Sequence, residues 1–327
     1  MFRRHVIGAA GASAVAAVVP HTARAQAKTF KLGIVGRADT PEGVGLQAMI
    51  ERIKAGTDGR ITIEFFPSGA LGGEREMLEG LQLGSVDLAY AATAVVANFV
   101  PEMQIFDIPF LFRDFAHAAA VLEGPIGEEY LAKLPARNLQ GLAIGGLGFR
   151  QLTNSKRAVN DVADVKGLKI RTMENQIHLQ AWRTLGALPT PMALPEVFPA
   201  LQQGTVDGQE NPVSAIIGNR FNEVQKFVTM TRHAFTGTVI AMSPTAWKGL
   251  SPADQALFRD AARLAQRTTR EQAEARERAG IDRLKAQGLT VIENVDHAKF
   301  QAALAPAYQQ FAQRFGEAAI ARIRDAR

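Results

Sequence analysis

The sequence predicts an α/β protein of two lobes, with helices covering mixed sheets, chain crossovers between the lobes and a long helix in the C-terminal half. Three observations lead there. The chain has 327 residues, more than the roughly 250–300 at which a single core stops growing. Past an N-terminal leader, it reads strand, helix, strand, helix, strand, the order of a parallel sheet covered by helices. Hydrophobic residues make up 47% of the chain, too many for a disordered chain, and no repeat or low-complexity linker separates two domains in series.

The leader is MFRRHVIGAAGASAVAAVVPHTARAQA. Arg3 and Arg4 form a positive start, and Val6 to Val19 an apolar and small-residue run of about 14 residues, short of the ~20 a membrane span needs. Ala23-Arg24-Ala25 and Ala25-Gln26-Ala27 are both small-x-small cleavage patterns. Residues 1–27 therefore read as a secretory signal peptide cut near residue 25 or 27. The Arg3-Arg4 pair also admits a twin-arginine signal, but its flanks fit loosely and the general secretory route is favoured. Cleavage removes Arg3, Arg4 and Arg24 and no acid, so the formal charge falls from +5 to +2. That leaves no electrostatic footprint for nucleic acid. No second apolar run is long enough to span, so the mature protein is expected to be exported and not membrane-embedded.

Phe30 to Val35 reads as the first strand. Thr40-Pro41-Glu42 is an N-cap with proline at the first helical position. Leu46, Met49, Ile50 and Ile53 follow at helical spacing, and Gly56 and Gly59 end the helix. Arg60 to Phe66 alternates with period two until Pro67-Ser68-Gly69 stops it. Glu74 to Leu83 is a short helix and Val86 to Tyr90 a third strand. Leu142-Ala143-Ile144 and Leu168-Lys169-Ile170 are short buried-strand candidates. Gly145-Gly146-Leu147-Gly148 between them is a natural place to change lobes. Thr238 to Met242 is a further strand after the loop His233–Gly237. Ser251 as N-cap, Pro252 at N1 and Asp254 at N3 open a long helix. Its apolar stripe is Leu257, Phe258, Ala261, Leu264 and Ala265, and its charges from Arg259 to Lys285 read as a solvated face. The expected lobes are residues 28–148 plus about 238–275, and 149–237 plus about 276–327.

Enzyme chemistry finds little support. With no cysteine, disulfide frameworks, thiolate metal sites and a cysteine nucleophile are excluded. There is no phosphate-binding G-x-x-x-x-G-K-[ST], no H-E-x-x-H and no EF-hand loop, and Gly146-x-Gly148 lacks a third glycine because Gln151 stands there. His117, His178, His233 and His297 are scattered and read as surface or satisfied core residues. No catalytic residue, metal site or cofactor is assigned.

Three segments carry the functional reading: Gly148-Phe149-Arg150-Gln151-Leu152-Thr153-Asn154-Ser155-Lys156-Arg157, Asp164-Val165-Lys166-Gly167-Leu168-Lys169-Ile170-Arg171-Thr172, and Leu201 to Pro212. Supporting motifs are Phe66 to Gly72 before Glu74-Arg75-Glu76, Leu83 to Asp87, Asp107 to Phe112, Pro189 to Ala193 and Phe221 to Lys226. Over essentially its whole mature length the chain resembles the solute-binding subunit of a tripartite ATP-independent periplasmic (TRAP) transporter, in the C4-dicarboxylate-binding protein family. The resemblance implies a two-lobe periplasmic binding protein fold, type II-like, in a Gram-negative periplasm. It implies a monomer that takes up a small carboxylate and hands it to the small and large permease components without ATP.

The resemblance also implies that Arg171 grips the ligand carboxylate. The chemistry agrees, since Arg171 follows a short apolar strand and its planar fork matches a carboxylate. Arg150 is implied as a second arginine near the carboxylate or a neighbouring hydroxyl. Asn211, held extended by Pro212, is expected to offer its amide from a loop. Glu74 aligns with an acidic position that accepts ligand hydroxyls in sugar-acid-binding relatives, and it is equally suited to a helix N-terminus. Phe149, Met173, Asn175 and Leu194 are expected pocket-lining residues. Asp207 and Glu210 read as structural, and Phe66 and Trp182 as core. Ala92 and Leu194 depart from sialic-acid-binding relatives, which counts against sialic acid, and the stretch Arg171-Thr172-Met173-Glu174-Asn175 resembles family members that take uronates or aldonates. A C4-dicarboxylate, keto acid or aromatic acid stays open as ligand, as do an exported sensor module and an enzyme using Glu74 as its base.

Overall fold

The computed structural model describes Met1 and residues 27–327, so the signal segment lies almost wholly outside the described residues. Ten strands form one mixed sheet: β1 (Lys28–Gly33), β2 (Ile61–Phe66), β3 (Leu88–Ala92), β4 (Gln140–Asn154), β5 (Lys169–Thr172), β6 (Leu188–Pro191), β7 (Gly208–Pro212), β8 (Phe227–Thr229), β9 (Phe235–Met242) and β10 (Thr290–Ile292). The order is β2-β1-β3-β9-β4-β7-β5-β6, with β8 and β10 branching from β4. The first wing pairs β1 parallel to β2 and β3, then β9 antiparallel to β3 and β4. The second wing has β7 antiparallel to β4, with β5 parallel to β7 and β6.

The handover between wings occurs along β4. Phe149 still faces Phe235 of β9, while Arg150 already faces Pro212 of β7. This strand is fifteen residues long, not the three-residue stretch expected from Leu142 to Ile144. The intervening glycines do not break it. A Cβ on Gly146 would come within 2.2 Å of the Phe235 ring, and one on Gly145 within 2.8 Å of Gln266, so both serve close packing. Gly148, at φ +137°, follows a register shift against β9, as a β-bulge requires. Other boundaries move by two or three residues. β3 begins at Leu88, and β9 at Phe235 takes in part of the expected loop.

The locally signalled helices form as read. The helix Pro41–Gly56 is capped by the Thr40 hydroxyl, which accepts from Gly43 N. Its face of Leu46, Met49 and Ile53 is fully buried against Phe258, Ala261 and Ala265 of the helix Pro252–Ala286. Ser251 caps that 35-residue helix by accepting from Asp254 N. Farther along, its Ile281 and Leu284 join a second core with Val197, Val213 and Phe221. One helix thus packs on both wings. Among the described residues no helix is long and apolar enough to cross a membrane.

Candidate functional site

The carboxyl ends of the parallel strands β1, β3 and β5 meet at the seam between the wings, where open α/β sheets bind ligands. They border a cavity of about 50 Å³. The first wing contributes Ile34, Glu42, Glu74, Tyr90 and Ala92 to its wall. The second wing and the bridging strands contribute Arg150, Arg171, Met173, Leu194, Asn211 and Thr236. Two larger grooves, about 470 and 500 Å³, lie elsewhere and are more open. Neither is lined by a buried cation without a partner among the described residues.

Arg171 is only 2% exposed. Its Nε and Nη2 donate to Met192 O at 2.9 and 2.6 Å, which fixes the plane of the guanidinium. Nη1 is buried with no hydrogen-bond partner among the described residues. Burial pulls the pKa from 12.5 down to about 10, the charge of Arg150 adds to this, and Glu210 and Glu74 oppose it. A desolvated cation with a spare donor is poised for an anion.

Arg150 is held differently. Its Nε and Nη2 clamp the Glu210 carboxylate, with Nη2 to Oε1 at 3.0 Å, and Nη1 donates to the Thr236 hydroxyl at 2.9 Å. His233 Nε2 lies 3.0 Å from the same carboxylate and His178 Nδ1 3.9 Å away. His178 in turn reaches Asp107, 3.4 Å from Nε2. Burial pushes the Glu210 carboxyl up, but Arg150 and His233 more than reverse this and hold it well below the usual carboxylate range. Burial also lowers the His233 pKa. Glu210 is thus structural, as expected, and it anchors a guanidinium that lines the cavity. Two of the four histidines that look scattered in sequence, His178 and His233, converge here because β7, the helix Gln176–Thr184 and the turn before β9 abut.

Asn211 lies in β7 opposite Gln151, not in a loop, because the extended conformation that Pro212 favours is completed by strand pairing. Its amide nitrogen donates to Gln209 Oε1 at 2.5 Å. Glu74 opens the helix Glu74–Leu83. Its Oε1 accepts from Ala92 N at 3.0 Å, and burial raises its pKa against the pull of that N–H and of both arginines. Helix-terminus and cavity-facing roles coexist there. Met173 packs on Ala92 and Ala94 across the seam, and Leu194 starts the helix Leu194–Gln202.

Two expected lining residues lie elsewhere. Asn175 is the N-cap of the helix Gln176–Thr184. Its Oδ1 accepts from Ile177 N, and its Nδ2 donates to Asp107 at 2.9 Å. Phe149 packs edge-on against Phe115 and Phe235 under the Arg232 guanidinium. It neighbours Arg150 on one strand, and successive side chains of a strand point to opposite faces. Sequence reading missed Glu42 and Tyr90. Glu42 sits in the first turn of its helix and Tyr90 in an apolar strand, positions that look structural.

A family model described as bacterial extracellular solute-binding protein, family 7, matches residues 32–314. The chain belongs to the TRAP solute-binding protein family. A solute-binding protein of Verminephrobacter eiseniae is 45% identical over 305 residues, covering 93% of this chain and 91% of that protein. A TRAP periplasmic solute-binding protein of Polaromonas sp JS666, solved bound to D-erythronate, is 46% identical with a TM-score of 0.90, covering 91% of this chain and 99% of that one. A third, from Bordetella bronchispeptica with density attributed to pantoate, is 45% identical with a TM-score of 0.89 over 91% and 99%. The family comprises periplasmic substrate-binding subunits of transporters, not enzymes, and its members work with small acids and membrane permease partners. The two-lobe periplasmic binding fold expected from the resemblance is the fold found.

Proposed function

We propose that this protein captures a short hydroxylated carboxylate, of the aldonate type, by an arginine clamp and delivers it to a TRAP permease. The observation that carries this reading is the buried Nη1 of Arg171, without a partner among the described residues, at the wall of this cavity. Arg171 takes the carboxylate, Arg150 on its Glu210 anchor supplies a second positive charge, and Asn211 borders the same end. The cavity of about 50 Å³ is far below the ~300 Å³ at which drug-sized sites begin, which suits a short acid. The D-erythronate and pantoate of two relatives are short hydroxy acids. Supporting the lobe division of 28–148 plus about 238–275 against the remainder is the change of partner strand at Phe149 and Arg150. The chain is exported through the general secretory route, is cut near residue 25 or 27, and acts as a monomer.

Thermal-shift screening of the mature protein against short aldonates, uronates, C4-dicarboxylates, keto acids and aromatic acids tests the reading. Binding raises the melting temperature through a stabilisation of RT ln(1 + [L]/Kd), and a short aldonate should give the largest shift. A larger shift with a dicarboxylate or aromatic acid, or turnover of any ligand, would overturn the proposal.

A further inference from the structure

The mouth of the arginine clamp accounts for only one side of the cavity. The opposite side is built from three groups of the first wing. Glu42 lies in the first turn of the helix Pro41–Gly56 and is 6% exposed. Glu74 opens the next helix. Tyr90 lies in β3, is 4% exposed, and its hydroxyl has no hydrogen-bond partner among the described residues. The Thr238 hydroxyl on the same wall donates to Gln266 Oε1 at 2.9 Å and lies beside the Tyr90 hydroxyl. The cavity therefore holds two buried, unpartnered donors on opposite wings, Arg171 Nη1 and the Tyr90 hydroxyl. Two carboxyls stand on the Tyr90 side.

We infer that Glu42, Glu74 and Tyr90 form a hydroxyl-recognising wall that selects a monocarboxylate with a polar, uncharged far end and rejects dicarboxylates. The inference rests on the arginine-clamp reading and adds the far end of the ligand to it. A terminal hydroxyl accepts from Tyr90 and donates to a carboxyl oxygen, so each buried polar group is matched. A terminal carboxylate has no proton to donate and places another anion beside Glu42 and Glu74, whose ionisation burial already opposes. The charge of Glu74 already opposes ionisation of Glu42, so another anion there is disfavoured. A site built to bond a ligand hydroxyl discriminates strongly against analogues that leave its polar groups unmatched.

Three C4 acids separate these contributions. D-erythronate carries the terminal hydroxyl, 4-deoxyerythronate lacks it, and meso-tartrate has a carboxylate in its place. Titration calorimetry on the purified mature chain should rank D-erythronate tightest and meso-tartrate weaker by roughly 100-fold or more. Tyr90→Phe should lose about tenfold for D-erythronate and leave 4-deoxyerythronate unchanged. Glu42→Gln, which keeps the shape and removes the charge, should narrow the gap to meso-tartrate by about tenfold or more. Both substitutions are conservative, and unliganded melting curves report folding separately. If wild type binds meso-tartrate as tightly as D-erythronate, or if both variants keep the wild-type ratios, the hydroxyl wall is refuted. Loss of all three acids in Arg171→Ala would then show the clamp surviving that failure. Retention of binding in Arg171→Ala would remove the clamp, and the wall with it.

Discussion

Replacing Arg171 by alanine should abolish ligand affinity while leaving the unliganded fold nearly as stable as before. The structure puts the guanidinium at 2% exposure with its pKa drawn from 12.5 to about 10. A depression of about 2.5 units disfavours the charged folded form by about 3 kcal/mol at neutral pH, since each unit is worth 1.36 kcal/mol. The sign is that of a base whose folded pKa is lowered: the penalty holds below about pH 10 and fades above it. Against this stand the two charge-assisted bonds to Met192 O, of about 1.5–3 kcal/mol each. The terms offset to within about 3 kcal/mol, a shift of only several degrees in melting temperature for a chain of this size. Binding is different. Without Arg171 the ligand carboxylate is buried unpaired at a cost of about 3–5 kcal/mol, or roughly 100- to several-thousand-fold in Kd. At a ligand concentration of 100 times the wild-type Kd, wild type gains about 2.7 kcal/mol, whereas a 100-fold weaker variant gains only about 0.4 kcal/mol. Differential scanning fluorimetry with and without D-erythronate measures both quantities. A variant that keeps the full ligand shift, or one whose unliganded transition collapses, would refute the assignment of this side chain to ligand capture.

Glu210→Gln should destabilise the protein by about 3–5 kcal/mol, because the buried Arg150 charge loses its counterion; urea melts report this. The depressed Glu210 pKa adds stability above the ordinary carboxylate range near pH 4.5 that is lost as pH falls toward the folded pKa, so the variant's acid unfolding should be less steep in that window. Burial raises the Glu42 pKa from 4.5 to about 7, so the unliganded protein should lose up to about 3 kcal/mol as pH climbs from about 4.5 through 7. Glu42→Gln should match wild type at pH 4 and exceed it at pH 8; equal melts at both pH values would count against this. Gly208→Ala would put a Cβ 2.0 Å from Thr153 O, backbone that cannot step aside. It should disrupt the pairing of β4 with β7, cost several kcal/mol, and weaken binding through displaced Arg150 and Asn211, as calorimetry would show.

What was legible in sequence follows the range of the physical signal. The Thr40 and Ser251 caps and the helix Glu74–Leu83 could be read because capping and helical spacing are local. The length of β4 could not, since its glycines look like a break until Phe235 and Gln266 are seen to need their space. Arg171, Arg150, Asn211 and Glu74 surfaced through motif resemblance, and the fold brings all four to one cavity. Phe149 and Asn175 do not line that cavity, and local rules point the same way. Adjacent strand residues face opposite ways, and an Asn before a helical run is an N-cap signal. Glu42 and Tyr90 gave no warning, because what draws them together is the meeting of a helix start and a strand more than forty residues apart.

The long helix Pro252–Ala286 has a mechanical consequence. At 1.5 Å per residue its 35 residues make a strut of about 52 Å, keyed into one core by Phe258 and Ala265 and into another by Ile281 and Leu284. The two wings are therefore not strung on slack threads. Any movement of one wing against the other has to flex a stiff rod and twist a continuous ribbon, so the elastic restoring force resides in regular secondary structure.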